Sequence, residues 1–200
     1  IAHNGKAYDT WLVHKYLIQQ TNKRPSKITL AGNKIMYMKI GSIRFIDSLN
    51  HIAQGLSAFP KIFGIAEMKK GYFPYTFNTD ENQNYIGQIP PIEYYNPDEM
   101  MEDKRKDFME WYNKQNEYVY NFKKELDGYC CSDVDILKRS MEIYIDEGIA
   151  LNGLNPIKCS TIASYAMKVY RTNYLKKDAI CVLKKDEYDF CKRGFFGGRT

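Results

Sequence analysis

The stretch I-T-L-A-G-N-K-I-M-Y-M-K-I-G-S-I-R-F-I, residues 28–46, decides the fold class. Apolar and β-branched residues dominate it, and two dipeptides, Gly32-Asn33 and Gly41-Ser42, cut it into three runs of strand length. A two-residue connection containing glycine supplies the positive φ that closes an antiparallel hairpin. The expectation is a three-stranded antiparallel unit with strands at 28–30, 35–40 and 43–46.

Helical patterns flank this unit. Upstream, Leu12, Val13, Tyr16 and Leu17 recur at helical spacing to about Gln20, and Lys23-Arg24-Pro25 ends the pattern. Downstream, Asp47-Ser48-Leu49 closes the last strand, and Leu49, Ile52, Ala53 and Leu56 predict a short helix capped by Ser48. Residues 59–97 dissolve into prolines, glycines, asparagines and aromatics, a stretch too long for a passive connection, so a functional or a mobile loop is expected. Asp98 is expected to cap a charged helix that buries Met101, Phe108, Trp111 and Tyr112. From Phe122 a second helix aligns Leu126, Cys130, Val134, Leu137, Met141 and Tyr144 on one stripe, with Gly148 as its stop. A helix at 161–175, a short apolar segment at 180–183 and a basic aromatic tail complete the chain. Strands and helices in this order define an α/β or α+β domain.

Composition narrows the class. With 44% hydrophobic residues in 200, the chain can bury a core, and no apolar run approaches the roughly 18 residues of a membrane span. No membrane partner is expected, and the compartment is read as intracellular, with nucleus, cytoplasm and virus left open. Five cysteines without C-x-x-C spacing favour reduced thiols over disulfides or zinc. The net charge of +5 permits a polyanionic partner without demanding one, and 17 tyrosines and 10 phenylalanines offer faces on which unstacked bases can rest. His3, His14 and His51 are dispersed and read as surface or core residues rather than ligands or bases.

Two motifs carry chemistry. The opening I-A-H-N-G-K-A-Y-D reads as a strand-to-helix junction that presents Asp9, and Y-C-C-S-D places Tyr129 and Asp133 four apart on one helix face. Hydrolysis of a phosphodiester by two divalent ions needs carboxylates converging from different elements, and oxygen ligands without His or Cys suit Mg2+ (or Mn2+) better than zinc. A tyrosine one turn before the second carboxylate is placed to orient the attacking water. Each motif alone has a plain structural reading, Asp9 as a helix cap and Tyr129 with Asp133 as a solvated face.

In combination they resemble the proofreading domain of family B DNA polymerases. N-x-x-x-Y-D at Asn4 to Asp9 is similar to its second exonuclease motif and Y-x-x-x-D at Tyr129 to Asp133 to its third. Ser48-Leu49-x-x-Ile52, Lys70 with Tyr75, and Phe195-Phe196-Gly197-Gly198 resemble three motifs of the protein-primed members, those of linear plasmids, adenovirus-like viruses and Polinton/Maverick transposons. The resemblance implies a ribonuclease H-like 3′-5′ exonuclease core, a mixed sheet flanked by helices, over residues 1–150. Residues 151–200 would be a helical segment and linker leading to a polymerase domain beyond the chain.

The same resemblance implies that Asp9 and Asp133 serve two metal ions, that Tyr129 orients the water and that Lys70 assists hydrolysis. Asn4, Tyr8, Ser48, Leu49 and Tyr75 would hold the single-stranded 3′ end of DNA, and Phe195, Gly197 and Gly198 would contact the template strand. A terminal protein primer would be the protein partner. The first exonuclease motif, Asp-x-Glu, and the polymerase palm motifs are not in the sequence, so the chain is expected to be an N-terminally truncated excerpt of a DNA-directed DNA polymerase, inactive or nearly so by itself. A stand-alone 3′-5′ exonuclease and a decayed mobile-element copy acting as a DNA-binding module are the alternatives.

Overall fold

A computed structural model of the chain describes residues 1–21, 23–65, 71–115, 118–180 and 182–194. Helix α1 is Asp9–Thr21; strands β1 (Lys27–Ala31), β2 (Lys34–Ile40) and β3 (Ile43–Ile46) form one antiparallel sheet in the order β1-β2-β3. The predicted turns are present, with Gly32 and Gly41 at φ 58° and 56°. The register shifts between Thr29 and Leu30: Thr29 faces Tyr37, whereas Leu30 faces Ile35. Met36 is therefore the extra residue of a β-bulge. The bulge brings Ile35 and Met38, three apart, to the same face, and both are buried, at 2% and 0% exposure. That face packs against a 3-10 turn at Gly5–Ala7 just before α1.

After β3 the chain makes a 3-10 turn at Ser48–Asn50, a second at Leu56–Ala58, and the one-turn helix α2, Phe59–Ile62. The continuous helix expected from Leu49 to Leu56 does not form, and the cap of the first turn is Asp47, not Ser48: the Asp47 carboxylate accepts from the Leu49 N–H at 2.9 Å. Ser48 faces inward instead, which removes it from the capping position.

The stretch 71–100 is built of four further 3-10 turns and the short strand β4, Ile86–Gly87, before helix α3, Glu102–Asn113. β4 pairs antiparallel with β5, Tyr120–Asn121. Rings replace regular hydrogen bonding as the organising force here: Phe73, Phe77, Tyr120 and Phe122 form a buried cluster, and Tyr72, Tyr95, Phe108, Trp111 and Tyr112 a second. Aromatic rings bury large areas with few rotatable bonds, so such a segment orders without periodicity. Asp98 does not cap α3, whose first turn has no side-chain cap; it sits in a turn at Pro97–Glu99 and pairs with Arg105 at 2.8 Å, while Met101 stands exposed ahead of the helix.

Helix α4, Phe122–Asn152, is 31 residues long and dominates the second half. The Asn121 side chain caps it, accepting from the Lys124 N–H. It runs through Gly148 and ends at Gly153, which takes φ 69° and donates to the Ile149 carbonyl, as a left-handed C-terminal glycine does. Gly148 serves packing instead: a Cβ there would stand 2.7 Å from Pro156 Cδ. The expected stripe is met in part: Leu126, Leu137 and Tyr144 are half-buried and Met141 is buried. Phe122, Leu126, Tyr129, Asp133, Ile136 and Ser140 face the protein, whereas Cys130 is exposed and Val134 is 62% exposed. Two polar members, Asp133 and Ser140, hide this stripe from a hydrophobicity reading. Val134, Leu137, Met141 and Ile145 also line an open apolar groove with Ile1.

Helix α5, Ile162–Val169, capped by Thr161, passes into a π-turn at Tyr170–Tyr174, and α6 is Lys185–Gly194. Helix α6 stands where the sequence suggests only a basic aromatic tail. The result is a mixed α/β fold with small antiparallel sheets and flanking helices. Among the described residues no helix is long and apolar enough to cross a membrane.

Candidate functional site

Asp47 ties the opening motif to the segment after β3. Ala2 and Asp47 form a parallel bridge, with the Ala2 N–H donating to the Ile46 carbonyl and the Ser48 N–H to the Ala2 carbonyl. The Asp47 carboxylate, 2% exposed, then accepts from the backbone N–H groups of Asn4 (2.8 Å), Lys6 (2.9 Å) and Leu49 (2.9 Å). A buried carboxylate needs such donors to replace its lost hydration, and three loop N–H groups without helical or strand partners need an acceptor. Each requirement satisfies the other. The sequence showed Asp47 only as the residue that closes a strand; the missed signal was a carboxylate immediately before a polar turn.

Around this knot the motif residues take different positions. Asn4 is exposed and left-handed, at φ 61°, a conformation asparagine accepts more readily than most residues. Gly5 is buried where a Cβ would meet Ala2 Cβ at 2.7 Å, and the same position lies 3.6 Å from the Asp9 carboxylate. Tyr8 is 74% exposed, and Asp9 stands exposed in the first turn of α1. Ser48, 1% exposed, turns its hydroxyl inward: Oγ donates to the Ala2 carbonyl at 3.0 Å and lies 2.9 Å from His3 Nδ1. Both contacts are satisfied together if Nδ1–H donates to Oγ. Leu49 is half-buried.

The second constellation lies on α4. Tyr129 stacks on Phe73, with centroids 5.1 Å apart at 30°, and its hydroxyl is hydrogen-bonded to that of Tyr75. The aromatic cluster thus carries Tyr75, exposed and 54 residues away in sequence, to the first tyrosine of Y-C-C-S-D. Burial pushes the Tyr129 hydroxyl well above the usual tyrosine range, reinforced by the bond to Tyr75 and by the Asp133 carboxylate one turn on. It is a neutral O–H, able to donate to and accept from a water but not to act as a base. Asp133 is half-buried on the same face.

His51 proves to be a core residue. It is buried, with Nε2 3.2 Å from the Cys159 carbonyl and Nδ1 3.2 Å from the Tyr144 hydroxyl. A tautomer with the proton on Nε2 satisfies both contacts. Among the described residues no three His, Cys, Asp or Glu side chains gather as a metal group would require. Lys70, Phe195, Phe196, Gly197 and Gly198 lie outside the described residues.

The family model for DNA polymerase type B, organellar and viral, matches residues 1–200. The chain belongs to this family. It is 29% identical over 173 residues to a probable DNA polymerase of Neurospora intermedia, a match covering 85% of this chain and 17% of that protein. A probable DNA polymerase of Podospora anserina is 29% identical over 157 residues, covering 78% and 13%. One from Agaricus bitorquis is 25% identical over 211 residues, covering 100% and 25%. The chain thus spans a quarter or less of the length of these relatives. No solved structure matches it.

Proposed function

We propose that this chain is the proofreading part of a protein-primed family B DNA polymerase, a ribonuclease H-like 3′-5′ exonuclease unit over residues 1–150 with a connecting segment over 151–200. What supports the reading is the joining of separate motif segments: Asp47 holds the Asn4–Asp9 segment against Ser48 and Leu49, and the aromatic cluster holds Tyr75 against Tyr129. The oxygen-only donors Asp9 and Asp133 suit Mg2+ or Mn2+. Two such ions, when bound, supply an activated water and a stabilised leaving oxygen.

The remaining roles belong to the chain's own groups. Tyr129, kept neutral, orients the water. Tyr8 offers an open ring to an unpaired base, Asn4 an amide to sugar or phosphate, and Leu49 an apolar edge. Ser48, through Ala2 and His3, positions the segment that leads into Asn4. Tyr75 sets the Tyr129 hydroxyl and contacts the 3′ end beside it, with Lys70 assisting hydrolysis and Phe195, Gly197 and Gly198 guiding the template. A terminal protein would prime synthesis in the whole protein. Since the Asp-x-Glu motif is not in the sequence, the 200-residue chain alone is taken to be inactive or nearly so.

The test is excision of a mismatched 3′ nucleotide. In the full-length protein, Asp133→Ala is expected to cut excision at least about 100-fold, the size of a lost electrostatic group at a reacting phosphate, while leaving nucleotide addition in place. Unchanged excision, or a metal-dependent 3′-5′ activity of the isolated chain that Asp133→Ala abolishes, would overturn the corresponding part of the reading.

A further inference from the structure

Charge is unevenly distributed along this chain. Of its 29 basic and 24 acidic side chains, seven basic and no acidic ones lie from residue 10 to residue 46, so that segment carries +7 and everything else −2. The strand register then gathers part of this charge on one face. Paired residues of an antiparallel sheet point to the same side. Lys27 pairs with Lys39, and Lys39 with Arg44, so three cations form a row across all three strands. Beyond the bulge Ala31 pairs with Lys34, and alternation along β1 puts Ala31 on the side of Lys27. Lys34 therefore joins the same face, opposite to buried Ile35 and Met38. All four cations are exposed, and none of the three strands holds an acidic residue.

Like charges directly opposite one another weaken a sheet. A row of three with no acidic residue on the same strands is relieved when an anion neutralises it. Its geometry suits a phosphate backbone: strands about 4.8 Å apart spread the row over about 10 Å, against a charge every ~3.4 Å along each strand of duplex DNA. Sites for single strands add open aromatic platforms to the cations. Here the one ring on the face, Tyr37, is half-buried with Lys27 Nζ 5.9 Å from its centroid, so phosphate contact is what the face offers.

We propose that the outer face of the β1–β3 sheet is a sequence-independent docking site for the phosphate backbone of duplex DNA, formed by Lys27, Lys34, Lys39 and Arg44. None of the nuclease motifs contributes to it, and the surface stands independently of the proofreading reading.

The experiment is fluorescence anisotropy of the 200-residue chain with a labelled mixed-sequence duplex, across about 50 to 200 mM salt. Combined Lys27→Gln, Lys39→Gln and Arg44→Gln is expected to weaken binding and to lower the slope of log affinity against log salt by about 2.7, roughly 0.9 for each phosphate no longer neutralised. Lys123→Gln with Lys124→Gln, on α4, leaves the slope unchanged. Should the triple variant melt, Arg44→Gln alone decides, with an expected slope change of about 0.9. Binding persists in EDTA, which separates it from metal-dependent excision. A wild-type slope in the variants, tighter binding of the equivalent single strand, or tighter binding of phosphatidylserine vesicles than of duplex overturns the proposal.

Discussion

Asp47 and Asn4, 43 residues apart, meet through a 2.8 Å hydrogen bond in which the Asn4 backbone N–H donates to the buried carboxylate. The same carboxylate serves Lys6 and Leu49, so one side chain sets both the loop that leads to Asp9 and the turn that carries Leu49. Replacing it with alanine strands three backbone donors in a largely buried site. Asp47→Ala is expected to lower the unfolding free energy by about 2–4 kcal/mol, and Asp47→Asn, which keeps one acceptor, by about half of that. Urea denaturation of the two variants checks the order; equal losses would mean that only one of the three bonds matters.

Gly148 separates two opposing effects in one substitution. Alanine is the better helix former by about 1 kcal/mol. A Cβ would nevertheless lie 2.7 Å from Pro156 Cδ and 3.1 Å from the Tyr165 hydroxyl, and that hydroxyl itself donates to the Gly148 carbonyl. A proline ring cannot swing aside, so overpacking prevails and Gly148→Ala is expected to destabilise by about 1–3 kcal/mol. A rise in the urea midpoint would show that α4 and the turn at Pro156–Lys158 are free to separate.

His51 predicts a pH dependence. Burial holds its imidazole below the usual histidine range, against a smaller opposing effect of the hydrogen bond to the Cys159 carbonyl. Below about 6.5 the unfolded chain binds this proton while the folded chain resists it. The stability His51 contributes is therefore complete above that pH and is lost as pH falls from there toward the lower folded value. His51→Gln, which cannot titrate, is expected to flatten the fall in unfolding free energy between about pH 7 and about pH 5. An unchanged pH profile in this variant contradicts the assignment.

The Tyr75–Tyr129 pair predicts a split between stability and chemistry. Tyr75 is exposed, so losing its hydroxyl by Tyr75→Phe is expected to cost less than about 1 kcal/mol. On the proposed reading, in the full-length protein Tyr129→Phe is expected to reduce mismatch excision more than Tyr75→Phe does, because the Tyr75 hydroxyl, the group this variant removes, acts through Tyr129. Rate measurements on both single variants and the double variant test this; a double variant no worse than Tyr129→Phe alone is the expected pattern.

Much of this architecture is local enough to read from residue order. The β1–β3 sheet follows from glycine turns between apolar runs, and α1, α5 and the start of α4 follow from the spacing of apolar residues, because each depends on neighbours within a few residues. The inward face of α4 was legible only in part: Leu126, Met141 and Tyr144 follow the pattern, but Asp133 and Ser140 are polar yet face inward, while apolar Val134 lines an open groove. Pattern reading assumes that burial follows hydrophobicity, and a helix that contacts several bodies along its length breaks that assumption.

The sequence by itself determined strands β1–β3, most of the longer helices and which segments hold the motif residues, since propensity and turn chemistry act at short range. Only the tertiary structure decided that Asp47 is the knot, that Gly153 rather than Gly148 ends α4, that β4 finds β5, and that Tyr75 reaches Tyr129. These depend on groups tens of residues apart satisfying one another's hydrogen bonds and filling one another's space. Complementarity of that kind exists only once the chain has closed.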